Sequence, residues 1–370
     1  MIITAAVVEE KSGPFQLREL ELEEPRADEI VVRMVAAGIC HSDLAVRDQY
    51  LPIPLPIVLG HEGAGVVEAV GSGVTAVVPG DRVLLNAQSC GNCEACVAGR
   101  MFACDRGAEL NFSGGRPDGS TGLSADGAPV HGKFFGQSSF ATHALAHGQS
   151  VTVLPADLDL TLAPAFGCGV LTGAGAVMSG LRAGIGDTIV VFGTGGVGLA
   201  AVMAARAVGC TTVVAVDRVQ ARLDLARELG ATHAVLAGGD GPDLLERVRA
   251  VVPAGAHHSV ETTGVPEVSQ AAVFSLRNGG MCAQLGVPPL GTTVGLDMAM
   301  LALSGIGIRG ITSGGVPPRF LQPRLIELYR QGRFPVDKLV THYPFADIEL
   351  AARDSQRGTS VKPILLFGES

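Results

Sequence analysis

The chain is short of charge. Only 17% of its 370 residues are charged, against 47% hydrophobic, which excludes a disordered, solvated polymer and predicts a folded globular protein. Cations are the scarcer sign, 27 Lys and Arg against 36 Asp and Glu. The formal net charge of −9 leaves no broad basic field for nucleic acid or an anionic membrane. Partners are therefore expected among small molecules and further copies of the chain. The first residues, 1–11, lack the basic start and apolar core of a secretory signal and carry Glu9 and Glu10 instead, so a cytoplasmic protein with reduced thiols is expected. A membrane span is not expected either. Residues 188–205 are uncharged and approach span length, but Gly193, Gly195, Gly196 and Gly198 divide them into strand, loop and helix. Internal repeats and low-complexity tails are absent.

Glycine is plentiful, at 50 residues, and implies tight turns and close backbone approaches. The length suits two domains. Up to residue 150, short β-rich runs (30–37, 63–70, 82–85) alternate with Gly and Pro, which reads as a mostly β domain. Residues 111–136 are rich in Gly, Ser, Pro and Asp and read as a long surface excursion outside the core. Beyond residue 171 strands alternate with helices, the signature of a parallel sheet covered on both faces. Strands are predicted at 188–192, 211–216, 259–262, 281–285 and 307–310, and helices at 197–208 and 222–229. The final β-like run, 363–367, is predicted to rejoin the first domain.

Four thiols, Cys90, Cys93, Cys96 and Cys104, lie close enough in sequence to reach the corners of one tetrahedron around Zn²⁺. Such a site is closed and structural. Disulfides or unrelated buried thiols are the alternatives, and an intracellular chain disfavours the first. Cys210 and Cys282 read as ordinary core thiols.

Gly193-Thr194-Gly195-Gly196-Val197-Gly198 fits G-x-G-x-x-G between a predicted strand and helix, the context a dinucleotide loop requires. The glycines permit the turn, the approach of pyrophosphate and close helix packing. Phosphate would sit at the helix N-terminus. Asp217 ends the next strand, where a carboxylate accepts ribose hydroxyls and repels the 2′-phosphate of NADP, favouring NAD. Its neighbour Arg218 weakens that preference.

A second donor set is scattered: Cys40, His61 and Cys168 each lie between small residues or turn formers. Two thiolates and an imidazole would leave the fourth position of Zn²⁺ open to substrate, as catalysis requires. Taken singly, a buried cysteine or a satisfied histidine is commoner than a ligand. The stretches Gly38-Ile39-Cys40-His41-Ser42-Asp43, Gly60-His61-Glu62-Gly63-Ala64-Gly65 and Gly167-Cys168-Gly169-Val170-Leu171-Thr172-Gly173, with the four-cysteine run and the glycine loop, resemble a zinc-containing alcohol dehydrogenase of the medium-chain dehydrogenase/reductase superfamily. The likeness covers essentially the whole chain. Arg47-Asp48-Gln49-Tyr50, followed by Pro52, Pro54 and Pro56, resembles the bacterial benzyl-alcohol, or aryl-alcohol, branch.

The resemblance implies an α/β fold: a mostly β GroES-like catalytic domain with a structural zinc lobe (1–170), a Rossmann doubly wound parallel sheet binding NAD (171–312), and a return to the catalytic domain (313–370). It implies two zinc ions per chain. Cys40, His61 and Cys168 would hold the catalytic one, with Glu62 and Asp43 supporting them. Thr172, Gly286 and Val287 would flank the nicotinamide, and His41 and Lys362 would contact the pyrophosphate. Zinc would polarise the alcohol oxygen while hydride passes to the nicotinamide, and Ser42 would relay the proton. Liver-type enzymes complete that relay with a histidine five residues after the first zinc cysteine; Ala45 stands there. The expected reaction interconverts primary, benzyl-type alcohols and aldehydes. Alternatives are a glutathione- or mycothiol-dependent formaldehyde dehydrogenase, a terpenoid alcohol dehydrogenase acting on geraniol or perillyl alcohol, and a silent nucleotide-binding relative. A homodimer or homotetramer is expected.

Overall fold

The computed structural model describes residues 1–238 and 243–368. Contacts divide the chain into two compact units, one comprising Met1–Cys168, Pro317–Pro323 and Asp337–Ser370, the other Gly169–Val316 and Arg324–Val336. The sequence reading returns all of 313–370 to the first unit. Arg324–Val336 instead groups with the second, where Phe334 is fully buried and Arg333 donates to the Ala207 carbonyl at 2.7 Å.

The first unit opens with β1 (Ile2–Val8), β2 (Gln16–Leu22), β3 (Glu29–Gly38), β4 (Ile57–Val58), β5 (Gly63–Val70) and β6 (Arg82–Leu85). It continues with β7 (Leu123–Ala125), β8 (Ala128–Val130), β9 (His143–His147) and β10 (Val151–Val153). The second unit holds β11 (Thr188–Phe192), β12 (Thr212–Asp217), β13 (His233–Leu236), β14 (Ala256–Glu261), β15 (Leu276–Gln284) and β16 (Gly307–Gly310). Last, β17 (Val340–Pro344) and β18 (Lys362–Leu366) return to the first.

Two sheets make up the first unit, in the orders β4-β1-β2-β7-β8 and β10-β6-β5-β3-β18-β17, with β9 also pairing β3. The hub is β3. Its sequence is nearly all apolar because neighbours cover both faces, and it pairs antiparallel with β5, β9 and β18. Its carboxyl end delivers Cys40 to the site described below.

One expectation is overturned here. Residues 111–136 are not a surface excursion: β7 and β8 form a hairpin that extends the first sheet, and Leu123, Val130 and Phe134 are buried core. Asp126 and Gly127 turn the hairpin, both at positive φ (52° and 76°), as a type I′ turn demands. Two cations of the segment, Arg116 and Lys133, are buried against one carboxylate. Glu29 accepts from Arg116 Nε and a terminal nitrogen, both at 2.9 Å, and from Lys133 Nζ at 2.6 Å. All three side chains are less than a tenth exposed.

The second unit carries one parallel sheet in the order β13-β12-β11-β14-β15-β16. Four consecutive residues of β11, Ile189 to Phe192, are fully buried, as befits a central strand covered on both faces. Strand order reverses between β11 and β14, which opens a crevice at their carboxyl ends. No helix among the described residues is long and apolar enough to cross a membrane.

Candidate active site and nucleotide cradle

The scattered donors meet. Sulfur, nitrogen or oxygen atoms of Cys40, His61, Glu62 and Cys168 all lie within 4.8 Å of one another. Cys40 is extended backbone capping the helix His41–Arg47, and Cys168 begins the helix Cys168–Gly175. Asp43, fully buried, binds the first two segments together. One carboxylate oxygen accepts from the Cys40 N–H at 2.9 Å; the other accepts from the Gly60 N–H at 3.0 Å and lies 3.0 Å from His61 Nδ1. With Nδ1 engaged, His61 has its other nitrogen, Nε2, buried without a partner. An orphaned ring nitrogen beside two thiols and a carboxylate is a donor set that fits a zinc ion with one position to spare.

The electrostatics agree. The hydrogen bond from Cys168 holds the Cys40 thiol well below its ordinary value, against the opposing effect of burial. Cys168 moves up, because that bond and burial both keep its proton. Burial opposes a charge on His61, but the Asp43 carboxylate outweighs it and raises the imidazole. Burial likewise raises Glu62, with Lys362 pulling the other way. The Lys362 ammonium hydrogen-bonds Glu62 Oε2 and is almost wholly buried. The resemblance puts Lys362 at the pyrophosphate; a buried carboxylate needs a countercharge, and Lys362 supplies it.

Two further contacts are invisible in the sequence. Gln137 donates to the His61 carbonyl at 3.0 Å and accepts from the Gly63 N–H at 3.1 Å, fastening both flanks of the histidine. Phe135 stacks on the His61 ring with centroids 4.6 Å apart. Both belong to 111–136 and its continuation, so the misjudged segment hid them. Ser42 Oγ lies 3.9 Å from Cys40 Sγ, and His41 is exposed.

The other four cysteines also converge, with Cys90, Cys93, Cys96 and Cys104 sulfurs within 4.8 Å of one another. Cys90 and Cys96 sulfurs stand 3.9 Å apart, and no disulfide joins any cysteine. The N–H groups of Asn92 and Cys93 bring the Cys90 thiol down to about 6, an anionic sulfur that suits a cation. Four sulfurs and no vacant corner fit a structural zinc.

In the second unit, Gly193 follows β11 at φ 87°, and Gly195 caps the helix Gly196–Val208. A Cβ on Gly198 would fall 1.8 Å from the Gly193 carbonyl oxygen, so strand and helix touch there as the motif requires. Val197 lies in the first turn of that helix. Asp217 ends β12, where it was expected, but it also acts on the loop itself. One oxygen accepts from the Thr194 N–H and hydroxyl, both at 2.7 Å, and the other from the Val219 N–H at 3.0 Å. Arg218 is exposed beside it, and Thr172 is half-buried in the helix Cys168–Gly175. Gly286 and Val287 follow β15, Val287 being 93% exposed. Cys210 and Cys282 are core thiols, both pushed by burial to about 11.

Known proteins carry the same architecture. A model of the alcohol dehydrogenase GroES-like domain matches residues 26–156, and one of the zinc-binding dehydrogenase matches residues 196–329. Geraniol dehydrogenase of Castellaniella defragrans is 42% identical over 98% of this chain and 97% of its own length. A zinc-binding-domain alcohol dehydrogenase from Burkholderia ambifaria superposes with a TM-score of 0.97 at 45% identity, covering all of both chains. Benzyl alcohol dehydrogenase from Acinetobacter calcoaceticus superposes at 0.96 with 40% identity, again over the full length of both. With these likenesses added to two cysteine-rich donor sets and a dinucleotide loop, the chain belongs to the zinc-containing alcohol dehydrogenases of the medium-chain dehydrogenase/reductase superfamily.

Proposed function

We propose that the protein is an NAD-dependent dehydrogenase of primary alcohols whose carbinol carbon is attached to an unsaturated carbon, with benzyl-type alcohols preferred and terpenoid alcohols such as geraniol as the second class. The observation that carries this reading is the orphaned Nε2 of His61, set beside Cys40, Cys168 and Glu62. When bound, zinc supplies Lewis-acid polarisation of the substrate oxygen, and NAD accepts hydride. Cys40, His61 and Cys168 would hold the metal. Asp43 keeps the ring of His61 turned so that Nε2 remains free for it. Ser42, a hydroxyl that both donates and accepts, takes the substrate's proton. Ala45 cannot carry that proton onward, so His41, exposed two residues before Asp43, or water would receive it beyond Ser42. Cys90, Cys93, Cys96 and Cys104 would hold the second, structural zinc.

The aromatic preference draws support from the half-buried Phe135, stacked on His61, and Phe112 in edge contact with it. Such faces suit flat, unsaturated substrates. Asp217 supports NAD over NADP by charge. Assembly of copies of the chain, as dimer or tetramer, is supported by bare apolar surface in the second unit: the helix Met298–Ser304 buries no residue, and Leu290 and Leu303 are 86% and 88% exposed. Light scattering that finds only monomer at micromolar concentration would refute assembly. The substrate assignment is tested by comparing kcat/KM for benzyl, cinnamyl, geranyl and short aliphatic alcohols with NAD and NADP. Equal or higher kcat/KM for short aliphatic alcohols would overturn it.

A further inference from the structure

Glu261 ends β14 with its side chain fully buried, and its hydrogen bonds reach both loops at that edge of the crevice. One oxygen accepts from the Thr263 N–H at 2.6 Å, from the Thr263 hydroxyl, and from the Gly264 N–H at 3.1 Å. The other accepts from the same Gly264 N–H at 3.1 Å and from the Gln284 amide at 2.6 Å. The backbone carbonyl of Glu261 adds the N–H groups of Leu285 and Gly286, at 2.8 and 3.1 Å. Its neighbour Thr262 donates its hydroxyl to the carbonyls of Phe192 and Gly193, at 2.8 and 3.2 Å. One residue pair thus ties the loops after β14 and β15 to each other and to the glycine-rich turn.

The tie is close and chemically specific. A Cβ on Gly286 would stand 2.1 Å from Gly264 N and 2.7 Å from Glu261 Oε2, so the two loops touch with no space for a side chain. Each of the side-chain donors is neutral, and only an acceptor-only group satisfies them all. A fully buried carboxyl group is costly unless its hydrogen bonds are made, and closing an ordinary turn does not require one. These loops lie at the carboxyl ends of β14 and β15, beyond the point where strand order reverses, and ligands of such sheets cross there. Pyrophosphate held at Gly193–Gly198 would leave the far half of a dinucleotide to extend along that crevice toward the tied loops.

We infer that Glu261 is a positioning residue for the nicotinamide half of the cofactor, setting the spacing between 262–264 and 285–287 without touching the reacting atoms. This rests on the reading of the chain as a nicotinamide-dependent dehydrogenase. The test is a binding titration of the full-length, zinc-loaded protein and its Glu261→Gln variant, with NADH followed by its fluorescence and ADP-ribose, which lacks the nicotinamide, followed by calorimetry. The amide introduced by this substitution would point a donor at the donors of Gly264 or Gln284. NADH is expected to weaken by about tenfold, the worth of a mispaired buried hydrogen bond, while ADP-ribose changes by less than about twofold. A merely structural role would weaken both ligands together, and that result, or no change in either, overturns the proposal. Gln284→Met, which removes a single donor, guards against misfolding of the first variant: about threefold weaker NADH with unchanged ADP-ribose supports the proposal, and unchanged NADH overturns it. Wild-type protein that binds ADP-ribose but gains nothing from the nicotinamide of NADH would instead overturn the dehydrogenase reading beneath it.

Discussion

Replacing Asp43 by Asn should loosen one metal site and leave the other alone. The carboxylate has three duties, accepting from the Cys40 and Gly60 N–H groups and orienting His61 through Nδ1. An amide retains one acceptor. Kept toward His61 and Gly60, its NH₂ meets the Cys40 N–H; flipped, it meets the Gly60 N–H. Either arrangement leaves a buried N–H unpaired, at a cost of about 1–3 kcal/mol. Loss of the carboxylate behind a metal-binding histidine also lowers metal affinity by about 10–100-fold, or roughly 1.4–2.7 kcal/mol. The Cys90–Cys104 cluster shares no residue with Asp43. Competition against a chromophoric zinc chelator, monitored at several chelator concentrations, should therefore show one zinc per chain released more readily in the variant and the other unchanged. Equal weakening of both, or of neither, would refute the assignment of Asp43 as the residue that prepares His61 for metal.

The two cysteine clusters should separate in a second comparison. Cys93→Ser is expected to lower the thermal midpoint by about 5 °C or more through loss of the structural ion, whereas Cys40→Ser should abolish turnover with a smaller thermal change; equal thermal change in both would contradict the division. Ser42→Ala should cut alcohol oxidation by about tenfold or more, and near-normal turnover would remove Ser42 from proton transfer. For Glu29, burial pushes the carboxyl up, yet Arg116 and Lys133 hold it at about 2, below its ordinary 4.5. A depressed folded value stabilises the fold fully above pH 4.5 and loses that contribution as pH falls toward 2, a difference of about 3 kcal/mol. Glu29→Gln, which also strands two buried cations, should cost about 3–5 kcal/mol at pH 7. In urea unfolding, the gap between wild type and this variant should narrow as pH drops from 4.5; a constant gap would show that Glu29 is not held ionised.

Local pattern was enough for much of the fold. Strands at 63–70, 82–85, 188–192 and 307–310 match the sequence reading, and 188–192 shows why most plainly, as a compact apolar run closed by Gly193. The hairpin within 111–136 escaped because its strands are three residues each and its flanking charges look solvated. Arg116 and Lys133 belong in the core only once Glu29 is known to face them, 87 and 104 residues away. The dipeptide Asp126-Gly127 was the available signal, since that pair favours a type I′ turn. At the site, Cys40, His61, Cys168 and the four-cysteine run stand in recognisable flanks. Gln137 and Phe135 have no such flank: their roles come from backbone that doubles back to His61, which spacing does not record. Likeness alone places Lys362 at a phosphate, and it is the burial of Glu62 that draws it inward.

The pairing of β18 with β3 has a consequence for biosynthesis. Everything in the second unit emerges from the ribosome before β18 does, so that unit can complete its parallel sheet while the central sheet of the first still has an open place beside β3. Glu62 waits 300 residues for Lys362. The Glu62–Lys362 contact can form only once the last strand has been made, so chaperone protection or early zinc loading would matter most before then.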